Sequence, residues 1–236
     1  MTNSPKRILL KVSGELLGGE QGRGIDSEIA RYLAADVKAV QEQGVQVLIV
    51  TGGGNFYRGR DKDSDVALSV GDRMGMLGSV MSAMGLASAC NTNGVPAVAM
   101  SAVEVPQFVK TFRVESAESA LKAGKVVMLG GGSATPGFTT DTAGVAFAHM
   151  LECDLLLKGT SVDGVYDKNP QEHEDAVRLE TVTYDEALEQ ELHVMDMTAF
   201  ALARDKKLPM VVFDVTKPGQ LQQALAGSIG TRVEAN

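Results

Sequence analysis

Cationic and acidic side chains accompany three glycine-rich turns along this chain of 236 residues. The first turn lies in Lys11–Glu15 (KVSGE), the second is Gly52–Asn55 (GGGN) with Arg58 shortly after it, and the third is Gly130–Ser133 (GGGS). Because glycine has no Cβ, backbone amides at such turns can close around an oxyanion, and cationic side chains can neutralise it. The chemistry that this arrangement favours is binding or transfer of phosphate.

Phosphoryl transfer requires an acceptor oxygen in line with the phosphorus and positive charge around the transferred group. Lys11 and Arg58 can provide that charge. Asp141, Asp154 and Asp196 are candidates for orienting the lysine or for holding Mg²⁺ through water. Each carboxylate also has a plain structural interpretation, as part of a helix start, a strand start or a helix.

A turn-rich segment, Asp163–Pro170, follows an apolar run that ends at Lys158. Tyr166 in this segment could pack against a purine, and Gly159-Thr160 could contact the base through backbone and hydroxyl groups. The same residues are also typical of an ordinary turn.

Several other classes of site and protein are disfavoured. The sequence has neither a P-loop nor a dinucleotide-binding Gly-x-Gly-x-x-Gly at a helix start, and its three histidines are scattered. Cys90 and Cys153 fit no metal-ligand spacing and are expected to be small core residues. A net charge of −8 argues against a nucleic-acid partner. No apolar run approaches the roughly 20 residues of a membrane span, and the N-terminus lacks a secretory signal, so we expect a cytoplasmic protein without a membrane partner.

The elements that must position these residues follow an alternating βαβ pattern, which predicts a mostly parallel sheet in a single domain covering residues 1–236. A helix is expected to begin after Asp26 and to end before Gly44. Another is expected to begin at Lys217-Pro218, with the proline in its first turn. The predicted strands are Ile8–Val12, Val45–Val50, Val95–Met100, Val126–Leu129, Leu155–Lys158 and Met210–Asp214.

A long helix over Gly71–Asn93 is expected to be apolar on two sides. One stripe contains Met74, Leu77, Met81 and Met84, and the other contains Met76, Val80, Ala83 and Ala87. Such a helix must be buried on both sides, either with one stripe on its own sheet and the other on a second subunit, or as a central core helix.

The order of motifs resembles bacterial uridylate (UMP) kinases, within the amino-acid-kinase superfamily, over nearly the whole chain. The resemblance implies a three-layer αβα sandwich with a mostly parallel central sheet, the amino-acid-kinase fold. It places the acceptor in the N-terminal part and ATP in the part from about residue 150. The motifs that carry it are KVSGE at 11–15, GGGNFYRG at 52–59, DRMGML at 72–77, FTTD at 138–141, DGVY at 163–166 and VMDMTAF at 194–200.

The resemblance also implies a role for each motif. Asp72 would hold the ribose hydroxyls of UMP, and Arg58 would contact ATP phosphates. The implied catalytic residues are Lys11, Arg58, Asp141 and Asp196. The implied ATP-binding residues are Lys11, Val12, Ser13, Gly14, Gly54, Arg58, Thr160, Tyr166 and Asn169. The implied UMP-binding residues are Gly53, Asp72, Ser133, Ala134, Thr135, Pro136, Gly137, Phe138, Thr139 and Thr140.

Relatives of this kind transfer the γ-phosphate of ATP directly to UMP, with Mg²⁺ and without a covalent enzyme intermediate. No tightly bound metal with protein ligands is expected. The resemblance further implies a homohexamer, a trimer of dimers, that responds to GTP as activator and UTP as inhibitor. The implied GTP-responsive loop consists of Gly19, Glu20, Gln21, Gly22, Arg23 and Gly24.

The acceptor loop 133–138 differs from the usual bacterial sequence, which leaves the accepted monophosphate open. Asn169 replaces a common aspartate, and Ser82 replaces a common asparagine of the long helix. Two alternatives also stay open: a related phosphotransferase with a carboxylate or phosphate acceptor, and a non-catalytic nucleotide- or oxyanion-binding protein on the same fold.

Overall fold

The computed structural model describes residues 5–57, 65–168, 170, 172–192 and 195–235. Within these residues a single sheet of nine strands has the order β4-β3-β5-β2-β1-β6-β8-β9-β7. The strands are β1 (Arg7–Val12), β2 (Gln46–Thr51), β3 (Ala97–Ser101), β4 (Lys110–Thr111), β5 (Val126–Gly130), β6 (Leu155–Thr160), β7 (Thr181–Thr183), β8 (Met210–Asp214) and β9 (Thr231–Glu234).

Helices connect most of the strands and cover both faces of the sheet. They are α1 (Gly14–Leu17), α2 (Ser27–Gln41), α3 (Leu68–Thr92), α4 (Val114–Lys122), α5 (Thr140–Met150), α6 (Tyr184–Glu189), α7 (Met197–Asp205) and α8 (Gln220–Leu225), with a short 3₁₀ helix at Gly19–Gln21. Every strand pair except β8 with β9 is parallel. The predicted mostly parallel sheet is confirmed.

Two apolar cores, one on each face of the sheet, show why the fold has three layers. Side chains alternate between the faces of a strand. In β1, Ile8 and Leu10 pack with α2, α3 and α8, whereas Leu9 packs with α4, α5 and α7. Lys11 is two residues after Leu9 in β1, so its side chain lies on the same face of the sheet, which α5 covers. The predicted αβα sandwich is confirmed.

Some predicted boundaries differ from the structure. Helix α3 begins at Leu68 rather than Gly71. The last helix begins at Gln220, after Gly219 at φ 80°, so the expected proline in its first turn is wrong. The buried Asp36 carboxylate accepts the amides of Gly219 and Leu221 and fixes this later start. The short strands β4, β7 and β9 were not predicted, because two to four residues show little periodicity.

The two stripes of α3 have different environments. Val80, Ala83 and Ala87 are buried against the sheet, as one of the two interpretations requires. Met74, Leu77 and Met81 lie at the surface with 38%, 49% and 47% exposure. The helix is thus not a central core helix in this chain. Among the described residues, no helix is long and apolar enough to cross a membrane.

Candidate active site

The three glycine turns meet at one edge of the sheet. Strands β5, β2, β1 and β6 are consecutive neighbours and run parallel, so their carboxyl ends lie side by side. The turns follow β1, β2 and β5 directly. Ligands of open parallel sheets bind at such an edge. The structure therefore brings the three turns together at one site.

Helix α3 packs against two of these turns at backbone distance. A Cβ on Gly53 would collide with the carbonyl oxygen of Gly75. A Cβ on Gly130 would lie 2.7 Å from the carbonyl oxygen of Ser79. Ser79 Oγ accepts the amide of Gly131 at 2.8 Å. Glycine is required at the turns because a helix backbone occupies the space that a side chain would fill.

Three charged side chains form a largely buried cluster: two lysines from the neighbouring strands β1 and β6, and an aspartate from the first turn of α5. Lys11 and Lys158 are paired across β1 and β6. Their ammonium groups lie 2.8 Å from Oδ1 and Oδ2 of Asp141, respectively. The three side chains are only 11–13% exposed. The cluster carries one net positive charge in a mostly dry site, which suits an anionic ligand.

The pKa values of this cluster are shifted by burial and by the neighbouring charges. Burial raises the pKa of Asp141, but the charges and hydrogen bonds of Lys11 and Lys158 outweigh it, so the net pKa is lowered. Burial lowers the pKa of Lys158, and the charge of Lys11 lowers it further, while Asp141 opposes both effects. Asp141 is therefore ionised at neutral pH and orients the two lysines.

Asp196 joins the N-termini of α5 and α7 at the same place. It caps α7 by accepting the amide of Ala199 at 2.9 Å, and it accepts the hydroxyls of Thr139 and Thr142. Thr139 in turn caps α5 by accepting the amide of Asp141 at 3.1 Å. The N-termini of α5 and α7 thus meet at Asp196, whose charge acts on the nearby Lys158, and both helix dipoles favour negative charge at this place.

A cavity of about 470 Å³ opens between α3, the glycine turns and the segment 132–140. Asp72, on its wall, accepts the amide of Gly137 at 2.8 Å. Of the residues implied for UMP, those on the wall are Gly53, Asp72, Thr135, Pro136, Phe138, Thr139 and Thr140. Ser133, Ala134 and Gly137 belong to the same loop but do not line it. Ser13, Gly14 and Gly54, implied for ATP, line this cavity as well.

A second cavity, of about 580 Å³, lies beyond β6. Its walls include Lys158, Thr160 and Tyr166, the last of which donates its hydroxyl to Asp163 at 2.7 Å. Val12, also implied for ATP, has its side chain buried in the core. Because Lys158 lines this cavity and the turn after Lys11 lines the first one, the charged cluster lies between the two.

The remaining sequence candidates are placed elsewhere. Arg58 and Asn169 lie outside the described residues. Asp154 is at the opposite end of the sheet, where it accepts the amides of Lys6 and Arg7, so its proposed part in the site is wrong. The loop 19–24 lies beside the second glycine turn, since Gly24 and Asn55 exchange hydrogen bonds.

Lys158 is the site residue that sequence reasoning missed. A signal for it existed, because Leu156–Lys158 (LLK) repeats the Leu9–Lys11 sequence (LLK) at the end of another apolar run. Among the described residues, no group of three or more histidine, cysteine or acidic side chains could hold a metal ion.

The amino acid kinase family model matches residues 6–214. The uridylate kinase of Sulfurovum sp. (strain NBC37-1) is 41% identical over 95% of this chain and 96% of its own length, and that of Bradyrhizobium sp. (strain ORS 278) is 42% identical over 94% of each. The UMP kinase structure from Bacillus anthracis superposes with a TM-score of 0.93 at 28% identity, over 98% of this chain and 97% of that one. The UMP kinase structure from Ureaplasma parvum superposes with a TM-score of 0.91 at 31% identity, over 97% of this chain and 98% of that one. The chain therefore belongs to the amino acid kinase family and, within it, to the uridylate kinases.

Proposed function

We propose that this protein transfers the γ-phosphoryl group of ATP to UMP, giving ADP and UDP. The observation that carries this proposal is the position of the Lys11–Asp141–Lys158 cluster between two nucleotide-sized cavities. Two bound nucleotides would meet there with their phosphates, where positive charge is concentrated and water is largely excluded. Membership of the uridylate kinases supports UMP as the acceptor.

Different parts of the single domain bind the two substrates. The cavity beyond β6 takes ATP, with Tyr166 and Thr160 near the adenosine and Lys158 at the phosphates. The cavity beside α3 takes UMP, with Asp72 facing the ribose and the loop 133–140 around the nucleotide. The residues up to about 150 thus provide most of the acceptor side, and the later ones provide the donor side.

The transfer step is a direct displacement. An oxygen of the UMP phosphate attacks the γ-phosphorus while the bond from that phosphorus to the β,γ-bridging oxygen breaks, and ADP leaves with the electron pair. The attacking phosphate has a second pKa of about 6, so it needs no general base at neutral pH. Lys11 and Lys158 neutralise charge on the transferred group, and the amides of the Gly14 and Gly54 turns add donors.

Asp141 and Asp196 act as positioning residues in this scheme. Both oxygens of Asp141 face lysines, and those of Asp196 accept two hydroxyls and an amide. Mg²⁺ supplies charge neutralisation to the triphosphate when it is bound. Because the two carboxylates are already engaged, the metal would be held mainly by the nucleotide phosphates and water, with protein contacts through that water.

The assembly and its regulation form part of the proposal. The exposed α3 stripe of Met74, Leu77 and Met81 supports a subunit interface, and we propose a hexamer built as a trimer of dimers. The loop 19–24 contacts the second glycine turn through Gly24, which supports a route by which GTP could activate and UTP inhibit. The nucleotide substrates favour a cytoplasmic location.

A steady-state assay tests the function. The purified protein with ATP and Mg²⁺ should convert UMP to UDP with a kcat/KM at least about tenfold above those for CMP and dTMP, a margin that a specific acceptor pocket can supply. Preference for a carboxylate acceptor, or ATP binding without turnover, would refute the proposal. Repeating the assay with GTP and UTP tests the two effectors.

A further inference from the structure

Asn55, the last residue of the second glycine turn, is buried, with 2% of the residue exposed. Its Nδ2 donates to the carbonyl oxygen of Gly24 at 2.6 Å, and its Oδ1 accepts the hydroxyl of Ser82 at 2.9 Å. Its backbone carbonyl accepts the amide of Gly24 at 2.9 Å. One residue thus connects the glycine turn, helix α3 and the loop that precedes α2.

The chemistry of the partners fixes the orientation of this amide. A carbonyl oxygen can only accept, so the NH₂ group must face Gly24, and the amide oxygen is left for the Ser82 hydroxyl. A buried polar group that loses such a partner incurs a desolvation penalty, so the arrangement resists change. Asparagine fits this position because its planar amide has both a donor, for the Gly24 carbonyl, and an acceptor, for the Ser82 hydroxyl.

Asn55 also touches the first glycine turn. A Cβ on Gly14 would lie 2.6 Å from Asn55 Oδ1 and 2.6 Å from the Gly54 amide nitrogen. The side chain is therefore packed against the backbone of both turns that carry phosphate-binding amides in the proposed reaction. A small displacement of Asn55 would displace Gly14, Gly54 or both.

The loop Gly18–Ile25 is held at its Gly24 end by this amide and by α3. The Ile25 side chain fills the space beside Gly85 of α3, where a Cβ would collide with its Cδ1. At the next residue, the amide of Asp26 donates to Leu17 at 2.7 Å. Arg23, which directly precedes Gly24, is exposed.

We infer that Asn55 is a positioning residue for phosphoryl transfer, which couples the loop Gly18–Ile25 to the amides of the first two glycine turns. The inference rests on the proposed function for its effect on turnover. The docking of the loop on Asn55 can be measured by proteolysis, which does not depend on the proposed function.

The test compares Asn55→Asp with Asn93→Asp, a matched change of an exposed asparagine at the end of α3. The aspartate keeps the shape of the side chain but places an acceptor against the Gly24 carbonyl. Ser82→Ala is a milder variant, which removes the hydroxyl that donates to Asn55 Oδ1 at 2.9 Å and that also lies 3.2 Å from the Gly78 carbonyl oxygen within α3. Each protein is assayed for kcat, for KM of ATP and of UMP, and for the rate of trypsin cleavage after Arg23.

We expect Asn55→Asp to lower kcat by about 10- to 100-fold, since small misplacements of positioned groups have effects of that size, while both KM values change less than about threefold. Cleavage after Arg23 should become about tenfold faster, because the docked loop opens more often. Ser82→Ala should act in the same direction by about three- to fivefold, and Asn93→Asp should match the wild type.

An unchanged kcat in Asn55→Asp or in Ser82→Ala would overturn the inference, and so would a lower kcat without faster cleavage after Arg23. If Asn55→Asp loses its circular dichroism signal, Ser82→Ala decides by the same two readouts. If the wild type makes no UDP, the proposed function fails, whereas the cleavage rates still show whether Asn55 holds the loop.

Discussion

Lys11 and Lys158 are paired residues of neighbouring parallel strands, and their ammonium groups contact different oxygens of the Asp141 carboxylate at 2.8 Å. Two like charges are held together because one carboxylate lies between them. The cluster keeps a net positive charge that a γ-phosphoryl group can match. In the proposed reaction this attraction acts where negative charge passes from donor to acceptor, which is where it would lower the barrier most.

Removal of one lysine should affect the rate more than the binding of UMP. Lys11→Ala or Lys158→Met is expected to lower kcat by about 10²- to 10³-fold, the effect of losing one transition-state donor, with KM for UMP within about threefold. Steady-state kinetics measure both constants, and Lys125→Met, at an exposed loop position, serves as control. A normal kcat in either variant would remove that lysine from the mechanism.

The kcat should begin to decline at a lower alkaline pH than it would if it depended on a lysine with an ordinary pKa. Burial, then the charge of Lys11, lowers the pKa of Lys158 despite Asp141, so its ammonium loses a proton below the usual lysine range. The kcat of the wild type should therefore decline on the alkaline side as Lys158 becomes neutral. Lys158→Arg should shift this decline to higher pH, because a guanidinium stays charged. A profile that does not move would assign the decline to another group.

Asp72 should matter for UMP and not for ATP. Its carboxylate lines the cavity that we propose for UMP and already accepts the Gly137 amide. Asp72→Asn weakens its acceptor capacity, and we expect KM for UMP to rise about tenfold, equal to roughly 1.4 kcal/mol, with KM for ATP unchanged. Varying each substrate separately measures this, with the exposed Asp65→Asn as control. A selective rise in KM for ATP would reverse the assignment of the two cavities.

Asp196 should contribute to stability through two helices. Asp196→Ala removes the cap of α7 and leaves the hydroxyls of Thr139 and Thr142 without their acceptor, so unfolding in urea should require about 2 kcal/mol less free energy. Asp196→Asn should lose less, because asparagine also caps helices. Asp205→Ala, at the exposed C-terminal end of α7, should not destabilise the protein, since a negative charge there is unfavourable. Equal stability of Asp196→Ala and the wild type would contradict the capping role.

The exposed stripe on α3 should control the size of the assembly. Leu77→Glu or Met81→Glu places a charge on an apolar surface of the helix, and the proposed hexamer should then dissociate into smaller species. Sedimentation or light scattering measures the mass, and Ala35→Glu on the exposed side of α2 is the matched control. A monomeric wild type would rule out the interface directly.

Much of the architecture followed from local patterns. Apolar runs with the period of strands, separated by helical segments, were enough for the parallel sheet, and Asp26 was a correct helix cap. The predicted start of α8 was wrong because the observed start is set by hydrogen bonds to Asp36, which lies 183 residues away from Gly219 in the sequence. A local rule for proline could not include a contact of that kind.

For the site, the sequence by itself indicated phosphate chemistry at the glycine turns with Lys11, Asp141 and Asp196, because these residue types and spacings are readable along the chain, and the family resemblance added Asp72. It did not determine which strands are neighbours. Only the tertiary structure paired Lys158 with Lys11 and placed Asn55 between the turns. The physical reason is that strand order and side-chain parity decide which distant residues face one another, and both are properties of the assembled sheet.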